Sequence, residues 1–271
     1  MSKDQRSKFA IKFDVLSRIV LCNTLSGVLP LYIVTEHPKS GGTWFGQMLS
    51  SALQIPFPRN QMPRLTTSIM HGHYLYSPGL RNVFCVMRDG RDIAVSYYYH
   101  ALFENERNPA WRVHAMREKF PFQDYDDIEQ NLPVFIEYLL SRKQRFYRPS
   151  NFSWTQFVDS WHQRDASIVK YEDLLNDPAQ ELKRAIHQVT GQTMPLDHLQ
   201  TIADTFSFAN QAQRASGQEN TRSFLRKGIA GDWKTKFSLE ARQMFDYYAG
   251  DALILMGYEP DHAWVNQDIV A

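Results

Sequence analysis

The sequence predicts an α/β fold, a single domain in which helices flank a central parallel β-sheet. Three short apolar runs rich in β-branched residues are each followed by a helical pattern, the order that builds such a sheet. The chain has 271 residues, which one large α/β domain can hold. No internal repeat, low-complexity tract or Gly/Ser linker divides it into parts.

Residues 1–30 form an N-terminal helical extension. From Phe13 to Cys22 apolar residues recur at near-helical spacing, interrupted by Asp14, Arg18 and Asn23. A bilayer span needs about 20 mostly apolar residues, and a signal peptide needs an unbroken apolar centre. A packed amphipathic helix is expected, with peripheral membrane or partner contact as the second reading.

Leu31-Tyr32-Ile33-Val34-Thr35 is the strongest strand. It runs into the turn-rich His37-Pro38-Lys39-Ser40-Gly41-Gly42, and Thr43 to Leu53 then reads as a helix. The second strand, Val83 to Met87, is followed by the charged Arg88-Asp89-Gly90-Arg91-Asp92 and a helix from Ile93 to Tyr99. The third is Ser167 to Tyr171. Beyond it Asp177 is an N-cap with Pro178 at the first helical position, and the helix ends near Gly191. Between about 102 and 148 no strand is expected. Pro133 to Leu140 reads as a helix within an insertion that suits a lid or acceptor-binding element. A C-terminal amphipathic helix runs from Ser238 to about Met256.

Composition narrows the function classes. A formal net charge of +1 gives no global attraction to nucleic acid, so an anion site must be built locally. Cys22 and Cys85 are the only cysteines, too few for a disulfide framework or a structural zinc set. A reducing, cytoplasmic setting fits. Aromatic residues make up 13% of the chain, which suits a filled core or a ring-walled pocket.

Strand, glycine-rich loop and helix in succession make a P-loop-like nucleotide-binding core. Main-chain N–H groups at the helix start point outward, and the helix dipole adds positive charge. Gly41 and Gly42 let an anion approach the backbone, Lys39 adds a full charge, and the Thr43 hydroxyl can donate. The pattern is not G-x-x-x-x-G-K-[ST], because the lysine precedes the glycines.

His37-Pro38-Lys39-Ser40-Gly41-Gly42-Thr43-Trp44 resembles the Y-P-K-S-G-T-T-W loop of sulfotransferases that use 3′-phosphoadenosine 5′-phosphosulfate (PAPS). Arg88-Asp89-Gly90-Arg91-Asp92-Ile93-Ala94-Val95-Ser96-Tyr97-Tyr98 resembles that family's 3′-phosphate block. Tyr171-Glu172-Asp173-Leu174 resembles its Y-E-D-[LM] segment, and Phe224-Leu225-Arg226-Lys227-Gly228 its late F-x-R-K-G block. The resemblance implies PAPS as co-substrate with no metal. It implies that Lys39 contacts the phosphosulfate while Ser40, Gly41, Gly42, Thr43 and Trp44 hold the 5′-phosphate, with Trp44 stacked on adenine. Arg88 and Ser96, with Arg226, Lys227 and the Gly228 amide, would grip the 3′-phosphate, and Tyr171 would lie near adenine. For Asp232 and Trp233, core or turn duty is expected.

Moving a sulfuryl group to a hydroxyl or amine calls for a proton acceptor, most naturally a neutral histidine. The family carries its catalytic histidine in a K-T-H-[LF] segment. Alignment of Ile69-Met70-His71-Gly72-His73-Tyr74 puts His73 on that histidine and His71 on its lysine, so His73 is favoured and His71 stays an alternative. His100 could face an acceptor or lid. A P-loop-type nucleotide kinase would need a GK[ST] lysine and an acidic metal strand, neither of which is present. A catalytically silent nucleotide-binding protein is the third reading. The expected partner is a small-molecule, lipid or glycan acceptor. Lys234, Ser238, Leu239 and Gln243 only approximate the family's K-x-x-x-T-V-x-x-x-E pairing motif, so a monomer or weak dimer is expected.

Overall fold

The computed structural model describes residues 8–59, 66–141 and 152–267. Its elements begin with α1 (Lys8–Leu25), β1 (Leu31–Glu36), α2 (Gly42–Leu53), β2 (Ser68–Gly72), β3 (Val83–Met87) and α3 (Gly90–Leu102). Next come α4 (Ala110–Arg117), α5 (Ile128–Leu140), α6 (Trp154–Trp161), β4 (Ser167–Lys170) and α7 (Tyr171–Asn176). The chain continues through α8 (Pro178–Thr190), α9 (Leu196–Thr205), α10 (Phe208–Ala212) and α11 (Leu239–Leu255). Short 3-10 turns lie at Asp232–Thr235 and His262–Asn266. Residues 1–7 of the expected extension and 142–148 of the expected insertion fall outside the described residues.

Two compact units are present. One comprises the described parts of Met1–His37, Gly41–Met87 and Gln163–Phe206; the other comprises those of Pro38–Ser40, Arg88–His162 and Ser207–Ala271.

The first unit holds the sheet. Its four strands run in the order β2-β1-β3-β4, all parallel. Val34, Phe84, Val86 and Val169 on the strands pack with Phe45, Met48 and Leu49 of α2 and with Leu182 and Ile186 of α8. Asp177 caps α8 through the Gln180 amide, and Gly191 closes it at φ 70°. Because the strands are parallel, Glu36, Gly72, Met87 and Lys170 end at one edge. The strand order reverses between β1 and β3, where open α/β sheets receive their ligands. β2 was not foreseen: Ser68-Ile69-Met70-His71-Gly72 has no apolar alternation, and it becomes a strand by pairing with β1 from Leu31↔Ser68 to Thr35↔Gly72. Tyr171 opens α7 rather than ending β4. Among the described residues no helix is long and apolar enough to cross a membrane.

The second unit is helical. α3 starts at Gly90, three residues before its expected start, because the Asp89 side chain accepts from the Arg91 amide and caps it. α5 starts at Ile128, capped by Asp127, and carries Pro133 inside it. The rings of the insertion turn inward: Phe120 lies 4.9 Å from Tyr138 and 5.3 Å from Phe135, and Tyr98 lies 5.2 Å from Phe135. Phe103, Phe120, Phe135 and Tyr138 are buried. In the described part of the insertion, most aromatic rings fill a core.

Candidate active site

The loop from β1 to α2 has an unusual backbone. Lys39 adopts φ 76° and Gly41 φ 95°, both left-handed conformations. The Ser40 side chain is fully buried, and its hydroxyl has no hydrogen-bond partner among the described residues. At Gly41 an added Cβ would stand 2.7 Å from the Tyr171 ring, so only glycine lets the loop pass that close. Trp44 donates its indole N–H to the Phe206 carbonyl at 2.8 Å and meets Tyr171 edge-on at 6.0 Å. The Thr43 hydroxyl accepts from Arg59 Nη2 at 3.1 Å, which leaves its own O–H to donate. One amide is already taken, since Gly42 N–H donates to the Glu36 carboxylate at 2.6 Å.

Glu36 also organises both candidate histidines. Its Oε1 accepts from His71 Nε2 at 2.8 Å, and its main-chain carbonyl accepts from His73 Nδ1 at 2.9 Å. A carbonyl oxygen can only accept, so His73 carries its proton on Nδ1 and presents Nε2 as a lone pair. His71 has its Nε2 committed to the carboxylate. Burial alone would raise the Glu36 pKa, but the His71 hydrogen bond and charge, with His73 and the Gly42 amide, hold it at about 2. Desolvation by the surrounding protein lowers the His73 pKa, and the His71 charge adds to this, against the attraction of Glu36.

In the second unit, the Arg88 guanidinium is buried and donates Nη1 to the Lys39 carbonyl at 3.0 Å and Nη2 to the Ile229 carbonyl at 3.3 Å. Its Nη2 lies 3.8 Å from Asp92, whose carboxylate takes the Gly231 and Trp233 amides at 2.7 and 3.0 Å. α3 and the 226–233 segment are thereby tied together. Ser96 is half-buried about two turns into α3. Arg226 pairs with Glu219 and Asp232, and Lys227 reaches Asp232 at 2.5 Å. Gly228 adopts φ 67°, and an added Cβ there would stand 2.3 Å from the Phe208 ring. Asp232 is only 2% exposed, so its expected turn duty includes neutralising two cations. Asp232→Ala should lower folding stability by about 3 kcal/mol in chemical denaturation, because Arg226 and Lys227 lose a buried counter-charge.

Lys39 Nζ rests 4.0 Å above the Phe224 ring, and the Arg107 guanidinium lies 3.5 Å from the same ring. His100 meets that ring edge-on at 5.9 Å. Asn105 accepts from the Arg107 amide through Oδ1 at 3.0 Å, which turns its Nδ2 toward His100 Nδ1 at 3.3 Å. His100 Nδ1 is therefore an acceptor and its proton sits on Nε2. Burial, followed by the charges of Lys39, Arg107 and Arg112, pushes its pKa down to about 3. His100 carries its proton on Nε2, whereas His73 carries it on Nδ1.

Sequence reading missed Glu36, Arg59 and Asp92. An acidic residue closing an apolar strand directly before two glycines was the available sign for Glu36; Arg59 and Asp92 are defined by long-range partners and carried none.

Comparison with known proteins identifies the family. The family model described as "Sulfotransferase domain" matches residues 59–257. Sulfotransferase 1A1 of Canis lupus familiaris is 23% identical, with 79% of this chain and 80% of the relative covered. Sulfotransferase 1E1 of Cavia porcellus is 21% identical, with coverage of 79% and 80%. The crystal structure of mouse sulfotransferase SULT7A1 complexed with PAP aligns over 90% of this chain and 92% of that one, with a TM-score of 0.61 and 17% identity. Retinol dehydratase in complex with androsterone and PAP aligns over 88% and 84%, with a TM-score of 0.59 and 15% identity. The family model covers most of the chain: the chain belongs to the sulfotransferase family and is a PAPS-dependent enzyme of α/β fold.

Proposed function

We propose that this enzyme moves the sulfuryl group of PAPS to a hydroxyl of a small-molecule acceptor, with His73 as general base. The observation that carries the reading is the buried, unpartnered Ser40 hydroxyl in the left-handed loop beside Lys39. A phosphate oxygen would satisfy that hydroxyl, since buried polar groups are otherwise costly. Arg88, Ser96, Arg226, Lys227 and the Gly228 amide hold the 3′-phosphate, the group that separates this nucleotide from ATP; a guanidinium fork suits such a dianion.

In the transfer, the acceptor oxygen forms a bond to sulfur as the bond from sulfur to the bridging oxygen breaks. The electron pair leaves with the nucleotide phosphate, where the Lys39 ammonium offsets the growing charge. The acceptor proton passes to His73 Nε2. The hydrogen bond from His71 Nε2 to Glu36 favours His73 over His71 for that task. The relatives' bound molecules, androsterone and retinol, support an apolar alcohol as acceptor class. Buried free Cys22 and Cys85 suit a reducing cytoplasm.

Adenosine 3′,5′-bisphosphate at about 100 times its Kd should raise the melting temperature by about 5 °C or more. ATP with Mg²⁺ should raise it far less. Labelled sulfate should leave PAPS when an acceptor alcohol is present. Better stabilisation by ATP with Mg²⁺ would instead mark a kinase, and stabilisation without turnover on a broad acceptor panel a silent binder.

A further inference from the structure

The start of a helix ordinarily receives an external anion. At the start of α2 the protein supplies one of its own, the buried Glu36 carboxylate on the Gly42 amide. Gly42 makes this contact possible, because an added Cβ would stand 2.7 Å from the Glu36 carboxyl carbon. The loop it resembles has threonine at that position. Glycine at 42 and glutamate at 36 are therefore a matched pair in this chain. Arg59, on the Thr43 hydroxyl, is drawn electrostatically to Glu36, and His71 holds the other carboxylate oxygen. The carboxylate is fixed on both sides and cannot swing away without giving up two hydrogen bonds.

We propose that Glu36 is a specificity-determining residue of the nucleotide site: it occupies the Gly42 amide in place of a 5′-phosphate oxygen, so affinity comes mainly from the 3′-phosphate. The inference rests on the reading of this loop as the PAPS site. The spent nucleotide carries two negative charges on one 5′-phosphate, whereas PAPS spreads two over a phosphate and a more distant sulfate. Repulsion from a fixed carboxylate falls with distance, so Glu36 penalises the spent nucleotide more. The residue thus favours product departure over product retention.

The test is isothermal titration of wild type and Glu36→Gln with adenosine 3′,5′-bisphosphate and with adenosine 3′-monophosphate, which lacks the 5′ group. Removing the charge should tighten the bisphosphate about tenfold and leave the 3′-monophosphate within about twofold. Glu36→Thr, which also frees the Gly42 amide, should tighten the bisphosphate at least as much and serves if the Gln variant melts early. Equal changes for both nucleotides, or no change for either in both variants, would overturn the role of Glu36 while leaving the PAPS site intact. A wild-type protein that binds neither nucleotide would sink the PAPS reading, and this inference with it.

Discussion

Lys39→Met should lose about 10²–10³ in kcat at saturating PAPS, the cost of removing one group aimed at developing charge. The substitution keeps side-chain length and removes only the ammonium. That ammonium rests 4.0 Å above the Phe224 ring, a cation–π contact. Binding of adenosine 3′,5′-bisphosphate should change by less than about tenfold if, as proposed, Arg88 and Arg226 hold the other phosphate. Single-turnover kinetics with labelled PAPS separates the two quantities. An unimpaired chemical step in Lys39→Met would remove Lys39 from the transition state.

His73→Ala should lower kcat/KM by about 10²–10⁴, the usual worth of a positioned base. His71→Asn should cost less, since the His71 ring serves Glu36. A base acts only when unprotonated, so the rate falls as pH drops through the His73 pKa. Burial places that pKa below the ordinary 6.5, and the ascending limb of kcat/KM against pH should be centred below 6.5. The same limb should vanish in His73→Ala. Its survival in that variant would assign the proton to another group.

The parts of the fold legible in the sequence are those fixed by local chemistry. β1 and β3 are continuous apolar runs. Asp177, Pro178 and Gly191 bracket α8, and Ser238 caps α11 through the Ala241 amide. What escaped depends on partners far along the chain. Arg91 belongs to the charged run after β3, yet it is 2% exposed, paired with Asp89 at 2.7 Å and Glu259 at 2.5 Å. It lies 3.7 Å over the Trp233 ring, and no local pattern announces Glu259 or Trp233 as its neighbours. β2 depends in the same way on β1. At the candidate site, the turn from β1 into α2 was legible because its glycines, lysine and helix start are contiguous. The service of Glu36 to Gly42 and His71 was not, because it needs the crossing from β1 to β2.

Rings packed away in the helical unit have a consequence for anyone wishing to retune which acceptor the enzyme modifies. Phe103, Phe120, Phe135 and Tyr138 look like tempting targets for a randomised library, but each is buried. Truncating such a ring costs about 3–5 kcal/mol, so most library members would be lost to misfolding before selection could act. Trp111, 66% exposed on α4, is the aromatic side chain of that segment which can be varied without emptying the core.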